Sequence, residues 1–75
     1  MQLKLIKQEQ LSEHLQRWYF RLPPSDFAEF GFFLDSLEGM AQHHKHAAAK
    51  DVMEVDVPLG WAAELEYLLS LNSSK

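Results

Sequence analysis

The sequence predicts a mainly α fold: a single domain, residues 1–75, built from three helices, with residues 3–6 and 53–57 as candidates for a short two-stranded β-ribbon. Three observations support this prediction. With 75 residues the chain has room for one domain. Apolar residues recur at steps of three and four in three segments, which is the spacing of one helix face. Prolines and glycines separate these segments, because both residues interrupt helices.

The first predicted helix runs from about Gln8 to Leu22 and stops before Pro23. Its apolar residues follow the spacing i, i+4, i+7, i+8 and i+11, namely Leu11, Leu15, Trp18, Tyr19 and Leu22. On the polar face, Glu13 precedes Arg17 by one turn, the order that favours an ion pair. The residue before a proline is pushed out of the helical conformation, so the helix ends here.

The second predicted helix begins at Ser25, a good N-cap residue, and continues from Asp26 to about Lys50. One apolar stripe follows steps of three and four: Phe27, Phe30, Leu34, Leu37 and Ala41. Gly39 leaves an alternative open, because glycine often lies just past a helix end. We favour one continuous helix, since methionine and alanines, which are good helix formers, follow this glycine.

The third segment combines a predicted strand with a helix. Met53, Val55 and Val57 alternate with acidic residues, the pattern of a half-buried strand. A helix follows from Pro58, and its predicted buried face consists of Trp61, Leu65, Leu68 and Leu69. Trp61 is expected to pack against the first two helices.

The N-terminal residues Leu3–Ile6 also alternate between apolar and polar side chains. Pairing of this run with Met53–Val57 would form the ribbon and would bring Lys4 near Glu54 or Asp56. The alternative is that residues 3–7 extend the first helix.

Composition excludes several classes of protein. The chain is 47% hydrophobic, which is typical of a globular domain. Seven basic residues stand against eleven acidic ones, a net charge of −4, and this argues against direct binding of nucleic acid. No apolar run is long enough for a membrane span or a signal peptide. The absence of cysteine removes thiolate chemistry and favours a reducing, cytoplasmic location.

We expect no catalytic residues, no cofactor and no bound metal. On a helix His43 and His46 would lie one turn apart, close enough to share a metal, but no third ligand has a suitable spacing. Asp35 and Glu38 could form a carboxylate pair, which is more typical of a solvated helix face than of acid–base chemistry.

Candidate partner-binding residues are the aromatic residues that fall outside the helical stripes and two neighbouring carboxylates: Phe20, Phe32, Tyr67, Asp35 and Glu38. Phe32 is expected to lie nearly opposite the buried stripe of the second helix. Gly31 beside it would let another backbone approach closely. This arrangement predicts a contact point for a second copy or a foreign partner.

The predicted function is that of a small non-catalytic protein–protein interaction module, meaning an adaptor, subunit or inhibitor that occupies a partner's surface. A homodimer is expected, since self-association would bury surplus aromatic surface. One alternative is an acidic mimic that blocks a nucleic-acid-binding protein. Another is a metal- or pH-responsive regulator acting through His43 and His46.

Overall fold

The computed structural model describes residues 2–37, 42–45 and 49–72; for residues 42–45 and 71–72 it describes the backbone. Within these residues the chain forms four strands, two α-helices and one short 3-10 helix. The prediction of a mainly α domain, a helical bundle, is therefore wrong, and the fold is α+β. In chain order the elements are β1 (Lys4–Gln10), β2 (Leu15–Arg21), the 3-10 helix (Pro24–Asp26), α1 (Phe27–Asp35), β3 (Gln42–Lys45), β4 (Val52–Pro58) and α2 (Leu59–Asn72).

The strands form one antiparallel sheet in the order β1-β2-β4-β3. β1 pairs with β2, and β3 pairs with β4. The inner strands β2 and β4 pair with each other and join the two halves. The chain therefore consists of two successive ββα units, β1-β2-α1 and β3-β4-α2.

Both helices pack on the same face of the sheet. Trp18 lies opposite Val55 and Phe20 opposite Met53 in the strand register, so these four side chains share that face. The remaining residues of the core cluster are Leu22, Phe27, Phe30, Leu34, Val57 and Leu65. The rings of Phe20 and Phe30 meet edge to face with 5.2 Å between centroids, a favourable arrangement that ties α1 to the sheet.

The predicted first helix is wrong, because its residues belong to β1, a connecting turn and β2. Side chains in β2 alternate between the two faces: Trp18 and Phe20 point into the core, whereas Arg17 and Tyr19 lie on the other face. Aromatic side chains favour strands because they pack well on a pleated surface. Pairing with a strand on each side outweighs the helical spacing of the apolar residues.

The predicted second helix is confirmed only in its first part. α1 ends at Asp35, and β3 covers Gln42–Lys45, so a continuous helix is wrong; Gly39 itself lies outside the described residues. At the end of α1 the hydroxyl of Ser36 donates to the carbonyl of Phe33 at 2.6 Å. Such a bond competes with the backbone hydrogen bonds that would extend a helix.

The predicted strand Met53–Val57 is confirmed as part of β4, but the predicted ribbon is wrong. Residues Lys4–Gln10 form a strand that pairs with β2, and β4 is flanked by β2 and β3. Lys4 consequently lies opposite Arg21. The alternation within residues 3–6 indicated a strand correctly but carried no information about its neighbour.

Helix α2 follows β4 directly and contacts the core chiefly through Leu65, which is 0% exposed. Trp61 is 43% exposed, so its predicted burial is wrong. The other predicted residues, Leu65, Leu68 and Leu69, do pack on the core, together with Ala62. Neither helix in the described part of the chain is long and apolar enough to cross a membrane.

Candidate functional site

The face of the sheet that points away from the helices carries paired charges. The guanidinium of Arg17 on β2 donates to both carboxylate oxygens of Asp56 on β4, at 2.7 and 3.1 Å. Another of its nitrogens lies 3.7 Å from the carboxylate of Glu54. The hydrogen bond to Asp56 raises the pKa of Arg17 above its ordinary value. This cross-strand pairing replaces the pair predicted between Glu13 and Arg17, which was based on helical spacing.

Tyr19 extends these contacts from β2 to β1. Its hydroxyl donates to the carboxylate of Glu9 at 2.7 Å, and the ammonium of Lys7 lies 5.2 Å from the centre of its ring. The hydrogen bond to Glu9 is the main reason that the pKa of Tyr19 is raised. A neutral tyrosine and a permanent guanidinium cation exchange no protons near neutral pH. We therefore interpret these contacts as links between strands rather than as acid–base chemistry.

The outer side of α1 presents an aromatic side chain between acidic ones. Ala28 and Glu29 precede Phe32 by four and three residues and Asp35 follows it by three, so all three neighbour Phe32 on the helix surface. All four are exposed, and Phe32 reaches 74%, the highest value among the large hydrophobic residues in the described chain. We call these four residues the α1 surface. It contains no basic residue.

The structure separates the five predicted partner-binding residues. Phe20 is 2% exposed and belongs to the core, because alternation in β2 turns it inward. Phe32 and Asp35 lie together on the α1 surface, whereas Tyr67 is 62% exposed on α2. Glu38 lies outside the described residues. Partner binding by the exposed members stays a prediction.

Two details of the α1 surface differ from the sequence prediction. Gly31 is buried, so it opens no space beside Phe32 for another backbone. Glu29 was not proposed as a site residue, although it precedes Phe32 by three residues and shares its stripe. The three-residue spacing between Glu29 and Phe32 was the signal in the sequence that could have identified Glu29 as a neighbour of Phe32.

The predicted pairing of His43 and His46 depended on a helix. The backbone of His43 belongs to β3, which removes the helical spacing, and His46 lies outside the described residues. Among the residues described, no group of three or more histidine, cysteine, aspartate or glutamate side chains could hold a metal ion.

Comparison of the chain with protein-family models, with curated proteins and with solved structures found no match. A function must therefore be inferred from the residues and surfaces of this chain.

Proposed function

We propose that the chain is a non-catalytic protein-interaction module, an adaptor, subunit or inhibitor, that binds its partner through the α1 surface. The observation that supports this proposal is the 74% exposure of Phe32 on the outer side of a helix. Isolated exposed apolar residues are common on proteins. Phe32 differs because it projects from a helix that the core holds firmly and because acidic residues border it on both sides.

Covering Phe32 would supply a large part of the binding energy. Burial of a phenylalanine side chain contributes about 1.5–3 kcal/mol. Phe30 and Leu34 anchor the opposite side of α1 in the core, so the helix is ordered before binding. A preorganised aromatic residue loses little conformational freedom when a partner covers it, and such residues often dominate binding energies.

The charge of the α1 surface indicates the kind of partner. Glu29 and Asp35 flank Phe32, and the whole chain has a net charge of −4. Opposite charge on a partner would accelerate encounter and fix its orientation. We therefore propose a partner with an apolar pocket bordered by lysine or arginine. The lack of cysteine supports a cytoplasmic setting for this complex.

The proposal is tested by affinity capture from extracts of the source cells, followed by calorimetry with the purified partner. Phe32→Ser should weaken binding by about tenfold or more, because burial of a phenylalanine side chain contributes about 1.5–3 kcal/mol and about 1.4 kcal/mol corresponds to a tenfold change in Kd. Trp61→Ser, which removes an exposed aromatic residue from α2, is the matched control and should bind like the wild type. Equal loss in both variants, or in neither, contradicts binding through the α1 surface.

The salt dependence of the affinity of the same complex distinguishes an acidic mimic of nucleic acid from a module that binds through apolar contact. A complex dominated by charge loses most of its affinity between low and moderate salt, whereas an apolar contact around Phe32 is nearly unaffected. We expect the smaller dependence.

The second candidate partner is another copy of the chain, and a homodimer at micromolar concentration would require that apolar contact at Phe32 outweighs the repulsion between two acidic α1 surfaces. Sedimentation equilibrium should then show a dimer for the wild type and a folded monomer for Phe32→Glu, because a charge is penalised at an apolar interface. A wild-type monomer at high concentration excludes the dimer and leaves a foreign partner.

A further inference from the structure

A groove separates the edge strand β1 from helix α2. Its volume is about 210 Å³. The buried rings of Trp18 and Phe20 form its floor, and its apolar walls include Leu5 and Leu69. Two polar residues that are exposed to solvent, Glu66 and Ser70, complete the lining on the α2 side.

Among the described residues that line this groove, the side-chain donors are already engaged. The indole nitrogen of Trp18 donates to Gln16 at 2.9 Å, and the hydroxyl of Ser70 donates to the carbonyl of Tyr67 at 2.7 Å. The lone pairs of Ser70 and the carboxylate of Glu66 remain, and both accept hydrogen bonds. The lining therefore offers acceptors and apolar surface to a ligand.

The electrostatic setting of the groove favours a cation. Glu66 and Ser70 belong to the C-terminal half of α2, whose dipole places partial negative charge at that end. No basic residue occurs within Leu59–Asn72 to offset this charge. A ligand that combines an apolar group with an adjacent positive charge would match both parts of the lining.

The size of the groove favours one side chain of a peptide over a free small molecule. Small-molecule sites usually enclose about 300–1,000 Å³, which is more than this groove holds. The groove also lies beside β1, an edge strand, so an extended segment can approach along it. We propose that the groove binds a segment of a foreign protein in which a large apolar residue lies next to lysine or arginine.

A second copy of this chain fits the groove less well. If β1 of another copy added to the edge, its cations Lys4 and Lys7 would lie on the face of the sheet opposite the groove, because they pair in register with Arg21 and Tyr19. They could not reach Glu66.

The test is a titration of the full chain, isotope-labelled for NMR, with short blocked peptides. The first peptide contains phenylalanine followed by lysine in an alanine background, the second has glutamate in place of lysine, and the third has alanine in place of phenylalanine. We expect saturable shifts at the amides of residues 3–5 and 66–70 with the first peptide. Binding of the second should be about fivefold weaker or more, and of the third about tenfold weaker or more.

Variants of the chain assign the preference to one carboxylate. Glu66→Gln should weaken the preference for lysine over glutamate, because only the helix dipole then favours the cation, while retaining the preference for phenylalanine over alanine. Glu64→Gln, which changes another exposed carboxylate of α2, should behave like the wild type. Phe32→Ser should also bind the first peptide normally, so that this inference and the proposed function of the α1 surface can fail separately.

Four results would overturn the inference. The first is amide shifts that do not saturate or that map to other residues, and the second is equal affinity for the lysine and glutamate peptides. The third is a preference for the lysine peptide that is unchanged in Glu66→Gln. The fourth is amide shifts at residues 3–5 and 66–70 when the chain is diluted without peptide. The last result would assign the groove to a second copy.

Discussion

The attachment of α2 to the sheet is tested by Leu65→Ala. Leu65 is fully buried, and replacing such a leucine removes apolar contact and leaves a cavity, at a cost of about 3–5 kcal/mol. Alanine is the best helix former, so the substitution does not weaken the helix itself. A domain of 75 residues has a total stability of about 4–11 kcal/mol. The loss should therefore be a large fraction of the free energy of unfolding.

Urea unfolding followed by far-ultraviolet circular dichroism measures this loss. The matched control is Leu59→Ala, the same substitution on the same helix at a side chain that is 37% exposed, for which we expect about 1 kcal/mol. If Leu65→Ala costs no more than Leu59→Ala, then Leu65 does not anchor α2 and the described packing is incorrect.

Two further predictions concern aromatic residues. Trp61→Ala should reduce the free energy of unfolding by about 1 kcal/mol or less. Acrylamide should quench the fluorescence of Trp61, which is exposed, and spare that of Trp18, which is buried. Strong quenching of both would contradict the described core. In a Tyr67→Phe background, which leaves Tyr19 as the sole tyrosine, Glu9→Gln should lower the pKa of Tyr19 in an ultraviolet titration. Because the hydrogen bond to Glu9 raises the folded-state pKa of Tyr19, its contribution to the stability of the fold is present below the ordinary pKa of tyrosine and is lost as the pH rises through the folded-state pKa. An unchanged titration in Glu9→Gln would contradict the hydrogen bond.

Local patterns predicted the elements whose burial follows a single periodicity. The alternation of Met53, Val55 and Val57 predicted the centre of β4, and the spacing of Phe27, Phe30 and Leu34 predicted the buried side of α1. In both elements the local pattern agrees with the core that the fold builds.

β2 could not be predicted in the same way because its apolar residues satisfy two periodicities. Leu15, Trp18, Tyr19 and Leu22 fit a helix face, while Trp18, Phe20 and Leu22 fit one side of a strand. The choice depends on backbone pairing with β4, which lies far away in the sequence. Helical spacing alone contains no information about such a partner.

The residues of the candidate site also divide into those that local spacing predicted correctly and those that it did not. Phe32 belongs to the first part of the second predicted helix, which the structure confirms, so its exposure followed from spacing. Phe20 was placed on a surface because the wrong periodicity was applied to its segment. The groove beside β1 joins residues from the two ends of the chain, and only the three-dimensional arrangement brings Leu5 close to Glu66.

The strand order β1-β2-β4-β3 gives the two ββα units equivalent positions, one on each side of the central pair of β2 and β4. Each unit presents its inner strand to the other, so the contact that completes one molecule can also form between units of two molecules. Shortening the connection between α1 and β3 should therefore produce exchanged dimers. Separate polypeptides for the two units should reassemble into one sheet, as the two halves of a split protein do.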